Sequence, residues 1–127
     1  MSEIERILHS GNSHRELAAV PSTENLRLVS SRLGVVLPSS YIEFCQLGGL
    51  GELRFNHQIL RPEEIVEARI YVPKENLLPF ADNGFGGLYC WLIDGSPEPT
   101  VVFFDHEEQS EMAAAASFTA WLAANRF

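Results

Sequence analysis

The sequence is poor in basic residues and has no long apolar run. Its nine lysines and arginines are outnumbered by 17 acids, which leaves a formal net charge of −8. A surface of that sign repels nucleic acid phosphates and anionic membranes. It suits a basic protein partner, or serves solubility alone. No stretch reaches the roughly 18 apolar residues of a membrane-spanning helix, and the first residues do not resemble a secretion signal. We therefore expect a cytoplasmic protein that binds neither nucleic acid nor membrane.

Patterns typical of metal sites and disulfides are also missing. The two cysteines, Cys45 and Cys90, have no Cys-x-x-Cys spacing and lie among apolar or aromatic neighbours, as buried free thiols do. No two of the four histidines have the i, i+4 spacing of a zinc site; they are His9, His14, His57 and His106. We interpret the run at residues 105–108, Asp-His-Glu-Glu, as a strand end and a solvated turn, because neighbours on a strand point to opposite faces. The sequence predicts no metal and no other cofactor.

No catalytic motif stands out. Gly-x-Ser-x-Gly is absent, and Cys45 lies on the apolar stripe of a predicted helix, where a thiolate is disfavoured. The glycine-rich run at residues 82–87 precedes a strand-like segment, whereas a phosphate-binding loop opens a helix. We interpret this run as a hairpin turn whose glycines take positive φ. The chain is therefore expected not to be an enzyme.

Helical patterns dominate the first half of the chain. Their apolar spacing predicts helices at residues 2–8, 22–33, 38–47 and 62–72. Ser22 or Thr23 can cap the second helix, and Gly34 can end it in the left-handed conformation. Gly48 and Gly49 stop the third helix. In the fourth helix the predicted inner face includes residues 65, 68 and 72.

Strand patterns follow in the second half. We predict strands at residues 52–56, 77–81, 88–94 and 100–105. Short connections favour an antiparallel meander over a parallel βαβ unit. Ser117 caps a final helix, whereas the alanines at residues 113–116 fit either an early helix turn or a connector. The sequence thus predicts a single α+β domain over residues 1–127. It has N-terminal helices, an antiparallel β-sheet meander and a C-terminal helix packed on the sheet.

Five segments, taken in order, resemble the SUKH superfamily of the SMI/KNR type, which includes fungal cell-wall-assembly regulators and bacterial toxin-immunity proteins. They are residues 33–44 (Leu-Gly, Leu-Pro and aromatic-x-x-Phe), 48–49 (Gly-Gly), 78–84 (Leu-Pro-Phe-Ala-Asp-Asn-Gly), 87–92 with 101–105, and 117–122 (Ser-Phe-Thr-Ala-Trp-Leu). Leu47 stands where the family usually has asparagine. The resemblance covers residues 22–125.

The matching residues have ordinary structural duties, in the core or at a helix stop. These fold-signature positions are Leu37, Pro38, Tyr41, Phe44, Gly48, Gly49, Phe118 and Trp121. For function, the resemblance implies a non-enzymatic interaction module, and in bacteria an immunity protein that binds and neutralises a cognate toxin. Many such toxins are nucleases, which are basic because they hold phosphates, so an acidic inhibitor suits them.

Polar side chains at predicted strand ends and turns are the candidate contacts with such a toxin, because charged loops on a rigid sheet are common recognition sites. They are Asp82, Asn83, Asp94, Glu98, Asp105, Glu107 and Glu108. The alternative is a small-ligand-binding or regulatory domain with a concave aromatic sheet face. That face would be lined by Phe80, Tyr89, Trp91 and Phe103.

Overall fold

The computed structural model describes residues 2–9, 21–50 and 58–125. Its helices within these ranges are α1 (Glu3–His9), α2 (Thr23–Leu33), α3 (Ser39–Gln46), α4 (Pro62–Ala68) and α5 (Phe118–Asn125). Its strands are β1 (Gln58–Ile59), β2 (Leu77–Asp82), β3 (Gly87–Leu92), β4 (Val101–Asp105) and β5 (Ser110–Ala115). A 3₁₀ turn, Arg69–Tyr71, follows α4. The predicted strand at residues 52–56 lies outside the described residues.

The five strands form one sheet in the order β1-β2-β3-β4-β5, and every pair of neighbours is antiparallel. Each strand therefore pairs with its neighbours along the chain, which is a meander. The α5 helix packs on the sheet through Phe118 and Trp121, whose rings lie 5.3 Å and 5.0 Å from the Phe80 ring. The predicted α+β architecture is confirmed.

The β5 strand was not predicted, because its sequence is Ser-Glu-Met-Ala-Ala-Ala and alanine has little preference for strands. All six residues are exposed except the last, which is half-buried. What holds them extended is the ladder with β4, in which Phe103 pairs with Met112 and Phe104 with Glu111. Tertiary pairing thus overrides local preference at the alanine run.

The main core lies between the helices and one face of the sheet. Leu37, Tyr41 and Phe44 are at most 1% exposed, as are Phe118 and Trp121. The aromatic rings meet mostly edge to face: Tyr41 and Trp91 lie 5.1 Å apart, and Phe44 and Phe118 lie 5.6 Å apart. The buried Tyr41 hydroxyl donates to the Leu60 carbonyl at 2.7 Å. The fold-signature residues therefore build this core.

The Gly48-Gly49 pair ends α3 for two different reasons. Gly48 has φ of 81°, which is a left-handed conformation. Any residue with a side chain is less stable in this conformation than glycine is. Gly49 has no positive φ, but a Cβ atom there would lie 2.5 Å from the ring of the fully buried Phe44. The first glycine is required by the backbone, and the second by the close approach of an aromatic ring.

The opposite face of the sheet carries a smaller apolar cluster, formed by Val72, Leu77, Cys90, Val102 and Phe104. The predicted helix at residues 62–72 is therefore too long. Its α-helical part ends at Ala68, and Val72 is extended (φ −119°, ψ 103°) because Pro73 follows it. Val72 thus packs on this second face rather than on the inner face of a helix.

Candidate functional site

The sheet register divides the seven predicted contact residues between the two ends of the sheet. Because Gly87 pairs with Asp105, the β2–β3 loop and the β4–β5 turn lie at the same end. We call this the hairpin end (residues 82–87 and 105–109). It holds Asp82, Asn83, Asp105, Glu107 and Glu108. The β3–β4 loop, with Asp94 and Glu98, lies at the opposite end. The structure therefore brings five of the seven residues together and separates two.

The β2–β3 loop is held by its own side chains. Asp82 Oδ1 accepts from the Gly84 amide at 2.7 Å, and Asn83 Oδ1 accepts from the amides of Phe85 (2.8 Å) and Gly87 (3.0 Å). Gly84 and Gly86 have φ of 81° and 89°. The predicted hairpin turn is confirmed. Its three bonded amides are not free to hold a phosphate, which a phosphate-binding loop requires.

The β4–β5 turn is built in the same way. Asp105 Oδ1 accepts from the amides of Glu107 (2.9 Å) and Glu108 (3.2 Å), so the strand end and turn predicted here are confirmed. Glu107 and Glu108 are exposed. The lysine and arginine ion pairs between described residues are Arg27–Glu24 and Lys74–Glu111. Among these residues, no lysine or arginine nitrogen therefore lies within 4.0 Å of an acid of the hairpin end. The hairpin end thus carries concentrated negative charge.

Phe85, at the tip of the β2–β3 loop, was missed by sequence reasoning. It is 90% exposed, the largest exposed fraction among the large hydrophobic residues of the described chain, whereas phenylalanine is among the residue types most often buried. A signal was present: a large apolar residue between two glycines of a tight turn cannot reach the core. Exposed aromatic residues surrounded by polar groups are typical centres of protein interfaces. The hairpin end therefore combines an exposed aromatic residue with carboxylates that form no ion pair with a described lysine or arginine.

A cavity of about 300 Å³ adjoins the loop. Its walls are Tyr71, Asp82, Leu88 and His106, together with the loop glycines. The Tyr71 ring meets the His106 ring edge to face, with 6.4 Å between centroids. Tyr71 is 56% exposed. It lies on the 3₁₀ turn after α4 and not in the hairpin. Sequence reasoning missed this residue too, because only the folded chain places it beside residues 82 and 106.

At the opposite end, Glu98 serves the fold. Its carboxylate accepts from the Ser40 amide at 3.2 Å and also from the Ser40 hydroxyl. Both donors lie in the first turn of α3, where Pro38 is the N-cap and offers no side-chain hydrogen bond. Glu98 thus caps α3 from a loop 58 residues further along the chain. Asp94 forms a local turn bond, accepting from the Ser96 amide at 2.9 Å.

Removing this cap is expected to destabilise the domain. Glu98→Ala should lower the free energy of unfolding by about 1–2 kcal/mol, as loss of a helix cap does. Ser40→Ala removes the same hydroxyl bond, so the double variant should lose less than the sum of the two. Urea denaturation of the four proteins measures this coupling. Glu67→Ala, an exposed acid on α4, is the control. Fully additive losses would show that Glu98 does not act through the Ser40 hydroxyl.

The aromatic sheet face proposed as a ligand site is not open, so that alternative site is wrong. Phe80 and Trp91 are fully buried and stack on each other at 4.6 Å. Both pack against Phe118 of α5. Tyr89 and Phe103 are half-buried, and the Tyr89 ring lies 5.2 Å from that of Trp121. The C-terminal helix occupies the space that a ligand would need.

The two cysteines are buried, and their thiols are poor nucleophiles. Burial raises the pKa of the Cys45 and Cys90 thiols to about 12, so neither forms a thiolate nucleophile at neutral pH. Both are free cysteines. In the described part of the chain, no three His, Cys, Asp or Glu side chains are placed to hold a metal ion. The longest helix of the described residues is α2, with 11 residues. No helix in this part of the chain is long and apolar enough to cross a bilayer.

The fold and this surface together define an α+β domain: an antiparallel meander with helices on one face and an acidic loop end. The family described as SMI1-KNR4 cell-wall (SUKH_6) matches residues 23–122, which is most of the chain. The chain belongs to this family of the SUKH superfamily. No curated protein matches the sequence significantly.

Proposed function

We propose that this chain is a non-catalytic binding domain of the immunity type, which neutralises a cognate toxin with a basic surface. The observation that carries the proposal is the hairpin end, where the exposed Phe85 lies among carboxylates that pair with no lysine or arginine of the described residues. The chain belongs to the SUKH superfamily, which includes bacterial toxin-immunity proteins, and this membership supports the proposal. Buried free thiols suit a reducing compartment, so we place the domain in the cytoplasm.

Charge and rigidity make this surface suitable for such a partner. The acids of the hairpin end, which pair with no lysine or arginine of the described residues, raise the rate of encounter with a basic protein. The net charge of the whole chain, −8, acts in the same direction. Side-chain bonds from Asp82, Asn83 and Asp105 fix both loops before binding, so little conformational entropy is lost on association. Phe85 then provides apolar area at the centre of the charged rim.

Co-expression tests the proposal directly. A toxin gene next to the gene for this chain is the first candidate partner, and the chain is expected to restore growth when both are expressed. A regulatory binding role is the alternative: it predicts a stable complex without rescue. No rescue and no complex would overturn the immunity function.

Charge reversal tests whether the hairpin end is the contact surface. Glu107→Lys with Glu108→Lys should lower the association rate constant with the toxin by about tenfold at low salt, because steering is lost. The loss should shrink at high salt, where the charges are screened. Stopped-flow association measures both effects.

The matched control reverses two exposed acids elsewhere, Glu67→Lys and Glu75→Lys, for the same change in net charge. It should change the association rate constant by a few-fold at most. Equal losses in the two double variants would show that net charge alone matters, and full inhibition after reversal at the hairpin end would exclude this surface.

A further inference from the structure

We infer that the cavity beside the Phe85 loop holds an arginine side chain of the bound protein. The inference rests on the proposed function for its partner, but it concerns a distinct feature, the open surface cavity lined by Tyr71, Asp82, Leu88 and His106. Its volume, about 300 Å³, is at the lower limit of small-molecule sites and has room for one long side chain.

The walls of the cavity match the parts of an arginine side chain. Asp82 provides a carboxylate, of which only Oδ1 is used by the loop, in the bond from the Gly84 amide. Tyr71 is 56% exposed and offers an aromatic ring, on which a guanidinium group stacks. Leu88 is half-buried and provides apolar surface for the methylene stem. Carboxylate, ring and apolar wall thus lie around one space.

Charge complementarity selects a cation over other occupants. Besides Asp82, the nearby turn holds Asp105, Glu107 and Glu108, and no lysine or arginine of the described residues pairs with them. A neutral side chain would bury the Asp82 carboxylate with the Gly84 amide as donor but without a counter-charge, which is costly. Arginine fits better than lysine because its planar group can pair with a carboxylate and stack on a ring at the same time.

The position of the cavity indicates that its occupant belongs to a protein. Gly84 and Gly86 line the cavity and also flank Phe85, so anchor and cavity share one loop. A partner that contacts Phe85 is therefore brought next to the cavity. A free amino acid would bring its own carboxylate next to this acidic surface, which is unfavourable.

An NMR titration of the full chain tests the inference without the toxin. The probe is N-acetyl-arginine amide, and the references are the capped amides of lysine and of citrulline, the neutral isostere of arginine. We expect saturable shifts at the amides of Gly84, Gly86 and Leu88, with a dissociation constant on the order of 1–10 mM for the arginine probe. The lysine amide should bind several-fold more weakly, and the citrulline amide at least tenfold more weakly.

Two variants separate the cavity from the general acidity of the surface. Asp82→Asn keeps an oxygen for the Gly84 amide and removes the charge, so it should weaken the arginine probe at least fivefold. Glu107→Gln makes the same charge change outside the cavity wall and should weaken it less than twofold. Equal effects of the two variants, or equal binding of the arginine and citrulline amides, would overturn the inference.

The remaining outcomes are also decisive. Equal binding of the lysine amide would overturn the choice of arginine, and tighter binding of free arginine than of its capped amide would show a free amino acid to be the ligand. If growth rescue fails while the arginine probe binds as expected, the immunity function fails and the cavity assignment stands. Rescue without saturable probe binding refutes the cavity assignment alone.

Discussion

Phe85→Ala should weaken toxin binding by roughly 30-fold or more, which corresponds to about 2 kcal/mol and is the usual loss at a central interface aromatic. The loss should appear mainly as faster dissociation, since an apolar contact contributes little to steering. The free energy of unfolding should stay within about 0.5 kcal/mol of the parent, because the side chain is 90% exposed and its removal opens no cavity.

Surface plasmon resonance with the toxin separates the two rate constants, and urea denaturation measures stability. Val36→Ala is the control: Val36 is 88% exposed and lines a pocket with the β3–β4 loop, at the opposite end of the sheet. Its affinity should remain at the parental value. If Phe85→Ala binds as tightly as Val36→Ala does, the hairpin tip is not part of the interface.

Phe118→Ala, in contrast to Phe85→Ala, should act on stability: it should lower the free energy of unfolding by about 3–5 kcal/mol. The ring is fully buried and lies within 6 Å of Tyr41, Phe44, Phe80 and Trp91. It joins α3, α5 and the sheet, so truncation leaves a cavity that none of the three can fill alone. A loss of this size is a large fraction of the stability of an ordinary domain.

Urea denaturation followed by tryptophan fluorescence measures the loss. Phe118→Leu, which keeps most of the volume, should cost clearly less than the alanine variant. Phe85→Ala is the same chemical change at an exposed position and provides the second reference. A loss below about 1 kcal/mol for Phe118→Ala would contradict the packing described for α5.

Local signals were sufficient for much of the fold. The α2 helix begins where Ser22 Oγ accepts from the Asn25 amide at 3.0 Å, and it ends at Gly34 with φ of 71°. Both features depend on residues close in sequence, so a cap and a glycine are readable without the structure. The β5 strand is held by its pairing with β4 and not by its own residue preferences, so the sequence signal there was ambiguous. The predicted end of α4 was wrong: the helix ends at Ala68, and the extended Val72 before Pro73 packs on the second face of the sheet.

The candidate site was predictable only in part, for a related reason. Acids at strand ends can be recognised one by one, and a predicted meander places alternate loops at one end of the sheet. The pairing of Gly87 with Asp105 then shows that the two acidic loops are direct neighbours. Glu98 could not be distinguished from the others, because its role depends on Ser40, which is 58 residues away. Phe85 could be recognised in the sequence as an apolar residue between two glycines, but the prediction of contact residues rested on charged and polar side chains and did not include it.

The loop bonds around Phe85 also separate the shape of the site from its selectivity. The conformation of residues 82–87 is fixed by Asp82, Asn83 and the glycines, and none of the bonds that hold it uses the side chain at position 85. Exchange of that one side chain therefore leaves the scaffold intact while it changes what the tip can contact. For an immunity protein of the kind proposed, recognition of a new toxin can therefore evolve by substitution at position 85 while the fold stays unchanged. The reason is that specificity depends on contacts and not on architecture.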